Sequence, residues 1–497
     1  MDTGELSWAI TATALVLFMT PGVAFFYGGL VKAKSVISMM MMSFGALGLI
    51  SVLWVLYGFN MSAVENPFDF AGNPFTENFA LAGYGNEDLV GATFGATFAI
   101  ITVALVSGAI ADRAKFGSWM LFAGLWATIV YFPVAAWVWG GGWILSIGDS
   151  WLEGLPAVID YAGGTAVHIN AGAAALALAI VLGKRVGFAK GAHVPHNPPF
   201  VLLGAGILWF GWFGFNAGAE FLNGLENVGL IVVNTLGATA AAILGWLLVE
   251  KIKDGKPTSV GAGSGAIAGL VAITPACANL APGFALLLGI IAGVLCALAV
   301  ELKFKWGFDD SLDVVGIHLV GGLIGTLYLG FFAIDTGLFT GGDFGQLAVQ
   351  AIAAVGVLVY SFVVAFIIGF AIEKTIGFRV TEEDEIAGID PEYVLTTPGQ
   401  GRFAAVCIDT AAALVASGRV KTVALVYGNN GRSAGRTYGG ADDAYGPGGE
   451  GLWFPYGMTS PGAYHALMMR RHMELYGTTS RQMAEVAVTV RAHALLN

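Results

Sequence analysis

Two histidines stand inside apolar stretches of this chain. His168 lies in Gly-Gly-Thr-Ala-Val-His-Ile-Asn and His318 in Val-Val-Gly-Ile-His-Leu-Val-Gly-Gly. Each follows an aspartate at the same interval, Asp160 before His168 and Asp310 before His318. An ionisable group inside a membrane is costly, and its default reading is functional. The bland alternative is a structural ring bonded to neighbouring backbone. Two rings at matched positions favour function. Desolvation disfavours imidazolium, so a neutral pair could share one proton and line a narrow passage, each ring donating or accepting as needed. A metal centre is the poorer reading, because no third ligand of Cys, His, Asp or Glu type lies mid-membrane near the pair. His193 and His196 fall in a polar connection and read as solvated. Cys277, Cys296 and Cys407 are scattered, which suggests neither a disulfide framework nor a metal cluster. No cofactor is implied.

A second set of residues could handle a cation. Phe94 and Phe98 share one helical face, Trp139 precedes Gly140-Gly141-Gly142, and Phe215 lies in Gly-Trp-Phe-Gly-Phe-Asn-Ala-Gly at 211–218. Aromatic faces can hold a partly dehydrated cation, Trp best of all. Each aromatic alone reads as an interfacial anchor. They carry weight only if they converge above the histidines.

The elements that must position these residues are membrane helices. The chain has 497 residues, 56% hydrophobic and 11% charged, against about 25% charged in a soluble domain. A net charge of −11 excludes the basic footprint that nucleic acid requires. The 72 glycines suit helices packed closely through small side chains. Hydropathy predicts an all-α polytopic membrane protein with eleven spans, at about 8–29, 37–60, 89–110, 117–138, 162–182, 199–219, 227–250, 262–279, 283–301, 311–333 and 346–373. The N-terminus lacks the basic region of a signal peptide, so the first run is expected to persist as a helix. Lys32, Lys34, Arg113, Lys115, Lys184, Arg185, Lys190, Lys251, Lys253, Lys256, Lys303, Lys305, Lys374 and Arg379 fall in alternate connections. The others carry only acids, such as Glu65, Asp69, Glu87, Asp149, Glu153, Glu226 and Asp335. Positive charge stays inside, which puts the N-terminus outside and the C-terminus in the cytoplasm. The fifth and tenth spans then run in opposite directions with matching Asp–His pairs, the signature of an inverted five-helix repeat.

At this level of detail the chain resembles the ammonium transporter (Amt/Mep/Rh) family over about residues 1–390. The matching stretches are Phe-Tyr-Gly-Gly-Leu at 26–30, Ala-Gly-Gly-Thr-Ala-Val-His-Ile-Asn at 162–170, Pro-His-Asn-Pro-Pro-Phe at 195–200, Gly-Trp-Phe-Gly-Phe-Asn-Ala-Gly at 211–218, Ala-Ile-Thr-Pro-Ala-Cys at 272–277 and Asp-Asp-Ser-Leu-Asp-Val-Val-Gly-Ile-His at 309–318. The resemblance implies a plasma-membrane homotrimer with one pore per subunit, His168 and His318 as twin pore histidines, and Phe98 with Phe215 as a phenylalanine gate. It implies cation recruitment by Phe94 and Trp139, supported by Asp160, further pore or vestibule positions at Trp212 and Thr274, and regulation by a PII-type protein. One departure bears on recruitment. The family often has a Ser hydroxyl where this chain has Ala219, and Glu220 follows directly. Ammonium and potassium are similar in size and charge, so a pore that makes ammonium give up a proton rejects potassium.

The tail departs from this pattern. Residues 1–379 read as the membrane domain and 380–392 as a family-like cytoplasmic tail. Residues 393–497 read as a small α/β-like soluble unit, with helices at 404–417, 460–476 and 480–495, a strand at 422–427 and a Gly-rich loop to 451. From Phe403 it resembles a fragment of the thiolase superfamily, closest to its lipid-transfer-associated members, through Val-Ala-Leu-Val-Tyr-Gly-Asn-Asn-Gly-Arg-Ser at 423–433 and Ala-Tyr-His-Ala-Leu-Met-Met-Arg-Arg-His-Met at 463–473. Cys407 lies within a helix and reads as a small buried hydrophobe, so the fragment is expected to be non-catalytic. Two functional readings stay open: a conducting ammonium transporter, and an ammonium sensor that signals through its tail. An acyl-CoA enzyme lacks its nucleophile.

Overall fold

The computed structural model describes residues 1–188, 195–387, 403–417 and 461–482, with 423, 484, 485 and 488. The chain divides into two compact units, Met1–Pro391 and Glu392–Asn497. Among the described residues there is no strand.

The first unit is a helical bundle. Among its described residues, ten helices are long and apolar enough to cross a membrane: α1 (Thr3–Leu30), α2 (Ala33–Met61), α3 (Asn86–Ile110), α4 (Phe116–Val138), α5 (Gly164–Leu182), α6 (Pro198–Leu222), α7 (Val228–Lys253), α9 (Pro282–Trp306), α10 (Val315–Phe332) and α11 (Phe344–Thr375). The predicted span at 262–279 takes a different form. Its helix, α8, is the shorter Ser259–Ile273, begun by the Thr258 hydroxyl capping Gly261 N–H and followed by turns through Pro275. At the other end of the chain α1 starts five residues before the predicted 8, because Asp2 and Glu5 form a capping box that hydropathy does not register.

Many of the large apolar side chains that remain exposed lie along these helices, among them Phe18, Phe44, Leu121, Leu244, Leu248, Val359 and Ile367. Polar groups such as Asn170, Asn216, Thr235, Gln346 and Gln350 are buried. Apolar outside and polar inside is the arrangement that hydrocarbon solvent favours. Helix contacts run through small residues. A Cβ on Gly204 of α6 would stand 2.3 Å from the backbone of Phe26 in α1. Gly289 and Gly293 of α9 each lie as close to α7 backbone, at Ala238 and Ala242. Backbones approach this closely only where side chains are absent.

The end of the bundle that carries the basic residues is tied by buried charges. Arg185 Nε meets Asp309 and its Nη1 meets Asp112, both at 2.9 Å. Arg113 donates to the Asp309 carbonyl at 2.6 Å and to the Ser311 hydroxyl. The chain after α11 joins this knot. Ala114 and Arg379 form a β-bridge, Arg379 pairs with Glu385 at 2.7 Å, and Glu385, in the short α12 (Glu382–Ala387), accepts from Val186 N–H at 2.6 Å.

In the second unit α13 (Phe403–Ala416) and α14 (Pro461–Tyr476) form where helices are predicted. Residues 480–482, 484, 485 and 488 are helical too. The predicted strand at 422–427 and the Gly-rich loop lie outside the described residues, apart from 423, as do His193 and the Cys407 side chain.

Candidate functional site

Both histidines sit one turn into their helices, and both helices begin the same way. Asp160 accepts the backbone N–H groups of Gly163, Gly164, Thr165 and Ala166 at 2.6–3.0 Å. Asp310 accepts those of Val314 and Val315 at 3.1 and 2.7 Å. Each carboxylate thus takes up donors that a helix start leaves orphaned. Gly163, at φ +114°, supplies the left-handed turn that lets the chain wrap around Asp160. The first turns of α5 and α10 are π-helical, Gly164–Ile169 and Val315–Leu319, and contain His168 and His318. Such wide turns are rare and frequently mark functional sites.

The two helices meet reciprocally. Gly172 of α5 sits against Leu319, the residue after His318. Gly322 of α10 sits against Ile169, the residue after His168. Each glycine lies four residues beyond its own histidine, which places it on the same face. The crossing brings His168 Nδ1 to 3.2 Å from His318 Nδ1, with ring centroids 5.3 Å apart. One proton must lie between these two nitrogens. With both rings neutral, the donor ring leaves its Nε2 bare as an acceptor, and the other ring keeps an N–H at Nε2. Two imidazolium rings, both donors, cannot make this bond.

The pair faces a narrow cavity, otherwise lined by Met19, Val23, Phe26, Tyr27, Ile101, Leu105, Val167, Leu208, Trp212, Phe215 and Ile267. The other polar groups of this lining are turned to protein partners. Tyr27 donates to the Leu105 carbonyl at 3.0 Å, and Trp212 Nε1 donates to the Thr274 hydroxyl at 2.8 Å. Thr274 in turn donates to the Leu270 carbonyl at 2.7 Å. Among the described residues His168 Nε2 has no protein partner.

An aromatic column leads from the cavity toward the end whose connections carry only acids. Phe215 lies 6.2 Å from His168 and stacks on Phe98 at 4.2 Å and 11°. Phe98 meets Phe94 at 4.9 Å and Trp139 edge-on at 6.0 Å. Trp139 Nε1 donates to the Asp160 carbonyl at 2.8 Å. Asp160 therefore fixes the start of α5 through its side chain and Trp139 through its backbone. Ala219 is partly exposed at the end of α6 and offers no side-chain acceptor.

Sequence reasoning singled out the histidines, the phenylalanines, Trp139, Asp160, Trp212 and Thr274, and the structure gathers all of them along this line. It missed Tyr27, although the Phe-Tyr-Gly-Gly-Leu motif contains it. It also missed the contact of Glu220 with Tyr161, which joins distant segments. His196, read as solvated, is exposed and bonds the Val31 carbonyl at 3.1 Å.

A multi-pass helical bundle enclosing an apolar cavity with one paired set of imidazoles defines a membrane permeation protein. The chain belongs to the Ammonium Transporter Family, which it matches over residues 7–394, and it is accordingly a transporter-type protein and not an enzyme. It is 51% identical to an ammonium transporter of Mycobacterium tuberculosis, covering 78% of this chain and 88% of that one. It is 40% identical to the ammonium transporter Amt1 of Archaeoglobus fulgidus, covering 78% and 97%. Among solved structures, Candida albicans Mep2 superposes with a TM-score of 0.70 at 32% identity, covering 77% of this chain and 88% of that one. A structure titled Sensor Amt Protein gives 0.71 at 27% identity, covering 79% and 98%. The family match ends before α13 and α14.

Proposed function

We propose that this protein conducts ammonium-derived nitrogen across the plasma membrane by deprotonating the cation and passing ammonia through the cavity. The carrying observation is the hydrogen-bonded His168–His318 pair in an otherwise apolar chamber behind stacked phenylalanines. Phe94 and Trp139, positioned by Asp160, gather the cation, with no hydroxyl contributed at Ala219. The Phe98–Phe215 gate and the apolar lining make the charged form costly. Ammonia, which can both donate and accept hydrogen bonds, passes along the neutral pair and is protonated again beyond it. Trp212 and Thr274 hold the wall of the passage. Potassium has no proton to give up and stays out.

In this reading α1 to α11 are eleven spans, with the short α8 completed by the turns after Ile273. The acidic end faces outside and the basic end the cytoplasm, a reading that the charge alternation supports. The five-helix halves are an inverted repeat, supported by the matched Asp160 and Asp310 caps and the reciprocal glycines. The subunit assembles as a homotrimer, and a PII-type protein meets its cytoplasmic face. Residues 1–379 form the membrane domain and 380–392 the family-like tail. Residues 393–497 are a thiolase-like, non-catalytic appendage.

A sensor that binds ammonium and signals through its tail is the second reading, favoured by the likeness to the Sensor Amt Protein structure and by Ala219. Uptake of labelled methylammonium into proteoliposomes separates the two, since a pure sensor gives none. His168→Ala combined with His318→Ala tests the mechanism. Ammonium-over-potassium selectivity in a liposome current assay changes if the pair filters the permeant. Unchanged selectivity removes the histidines from the mechanism.

A further inference from the structure

Glu220 is a completely buried carboxylate that the mechanism above does not use. It sits in the single tight turn Ala219–Leu222 that ends α6. Both of its oxygens accept hydrogen bonds, one from the Tyr161 phenol and the other from Asn227 N–H at 2.8 Å. Two donors on two oxygens match an ionised carboxylate. Both donors are neutral, and among the described residues Glu220 forms no ion pair. Buried charges are ordinarily paired.

Its surroundings say what the unmatched charge faces. Tyr161 follows Asp160, whose carbonyl holds the Trp139 indole. Phe221, the next residue after Glu220, packs edge-on against Phe94 at 5.4 Å. The chain thus places the carboxylate behind the same ring of residues that surrounds the mouth of the aromatic column. The connections at this end contain no Lys or Arg, so no side-chain cation of the protein competes for it there.

We propose that Glu220 sets the affinity of cation recruitment: its fixed negative charge attracts ammonium to the Phe94–Trp139 mouth through space, where Ala219 provides no hydroxyl. This deepens the transport reading and rests on it. The attraction requires no contact with the ion, because fixed charge in a low-dielectric wall focuses potential at a cleft. The role is one of positioning the ion and not of proton transfer.

The test is the concentration dependence of labelled methylammonium uptake by the full chain in proteoliposomes. Glu220→Gln keeps an oxygen acceptor and the side-chain shape but removes the charge. The half-saturating concentration should rise about tenfold, the loss of an interaction of roughly one pK unit, with the maximal rate unchanged. Raising salt should weaken uptake by the natural protein and leave the Gln variant little affected. Tyr161→Phe removes one neutral partner and keeps the charge, so its half-saturation should stay near the natural value. Equal half-saturation for the natural protein and Glu220→Gln overturns this inference alone. An equal loss in Tyr161→Phe and Glu220→Gln also overturns it, because the turn and not the charge is then what matters. No uptake by the natural protein overturns the transport reading and this inference with it.

Discussion

The rings of Phe98 and Phe215 lie face to face, 4.2 Å apart and within 11° of parallel. Phe215 forms part of the cavity wall, and Phe98 stands between it and Trp139. A stack this close leaves no room for a hydrated ion between the rings. Removing either ring therefore alters both packing and permeation. Phe215 is wholly buried, so Phe215→Ala should destabilise the protein by about 3–5 kcal/mol. It should also admit potassium. Thermal unfolding in detergent and potassium current in liposomes check the two effects separately, and intact potassium exclusion in a folded variant would rule out the gate.

The Arg185–Asp309 pair at the basic end makes a prediction about acid. Burial acts to raise the Asp309 carboxyl, but hydrogen bonds and charge from Arg185 outweigh it and hold it below the usual carboxylate range. A carboxyl depressed on folding stabilises the folded state above its unfolded value, and that stability is lost as pH falls through the lower folded one. The contribution should thus persist down to about pH 4 and disappear below it. Arg185→Ala strands the carboxylate of Asp309 in a buried site, which should cost about 3–5 kcal/mol at neutral pH. The variant's deficit should shrink in acid, once Asp309 is protonated. Melting curves of both proteins from pH 7 to pH 3 measure this, and a deficit independent of pH would contradict it.

The two crossing glycines should differ in tolerance. A Cβ on Gly172 would stand 2.5 Å from the backbone nitrogen of Leu319, which cannot move without displacing the turn that carries His318. A Cβ on Gly322 would meet the Ile169 side chain at 3.0 Å and the Gly164 carbonyl at 3.1 Å. Overpacking costs about 1–3 kcal/mol, and Gly172→Ala should lie at the upper end of that range and Gly322→Ala at the lower. Methylammonium uptake should fall in the same order. Equal behaviour of the two variants, in stability and in uptake, would count against a tight crossing at Gly172.

The sequence carried the helices and most of the site because hydrocarbon imposes a simple rule on long apolar runs. It did not carry the π-turns around His168 and His318, because the width of a helical turn depends on tertiary packing and leaves no periodic signature. The short α8 read as a full span because the apolar stretch continues through Pro275 after the helix has stopped. The Glu220–Tyr161 bond was invisible for another reason. Both residues are unremarkable in their own segments, and only the fold brings positions 161 and 220 together. The Asp–His intervals were legible because they repeat, and repetition is the one long-range feature that a single sequence displays directly.

The reciprocal seating of Gly172 on Leu319 and Gly322 on Ile169 has a consequence for how such a protein can change over time. Neither helix can tilt or slide without dragging the opposite imidazole along, much as two meshed gears cannot turn separately. A substitution that shifts one half must be answered in the other, so inherited change at this junction should come in partnered steps.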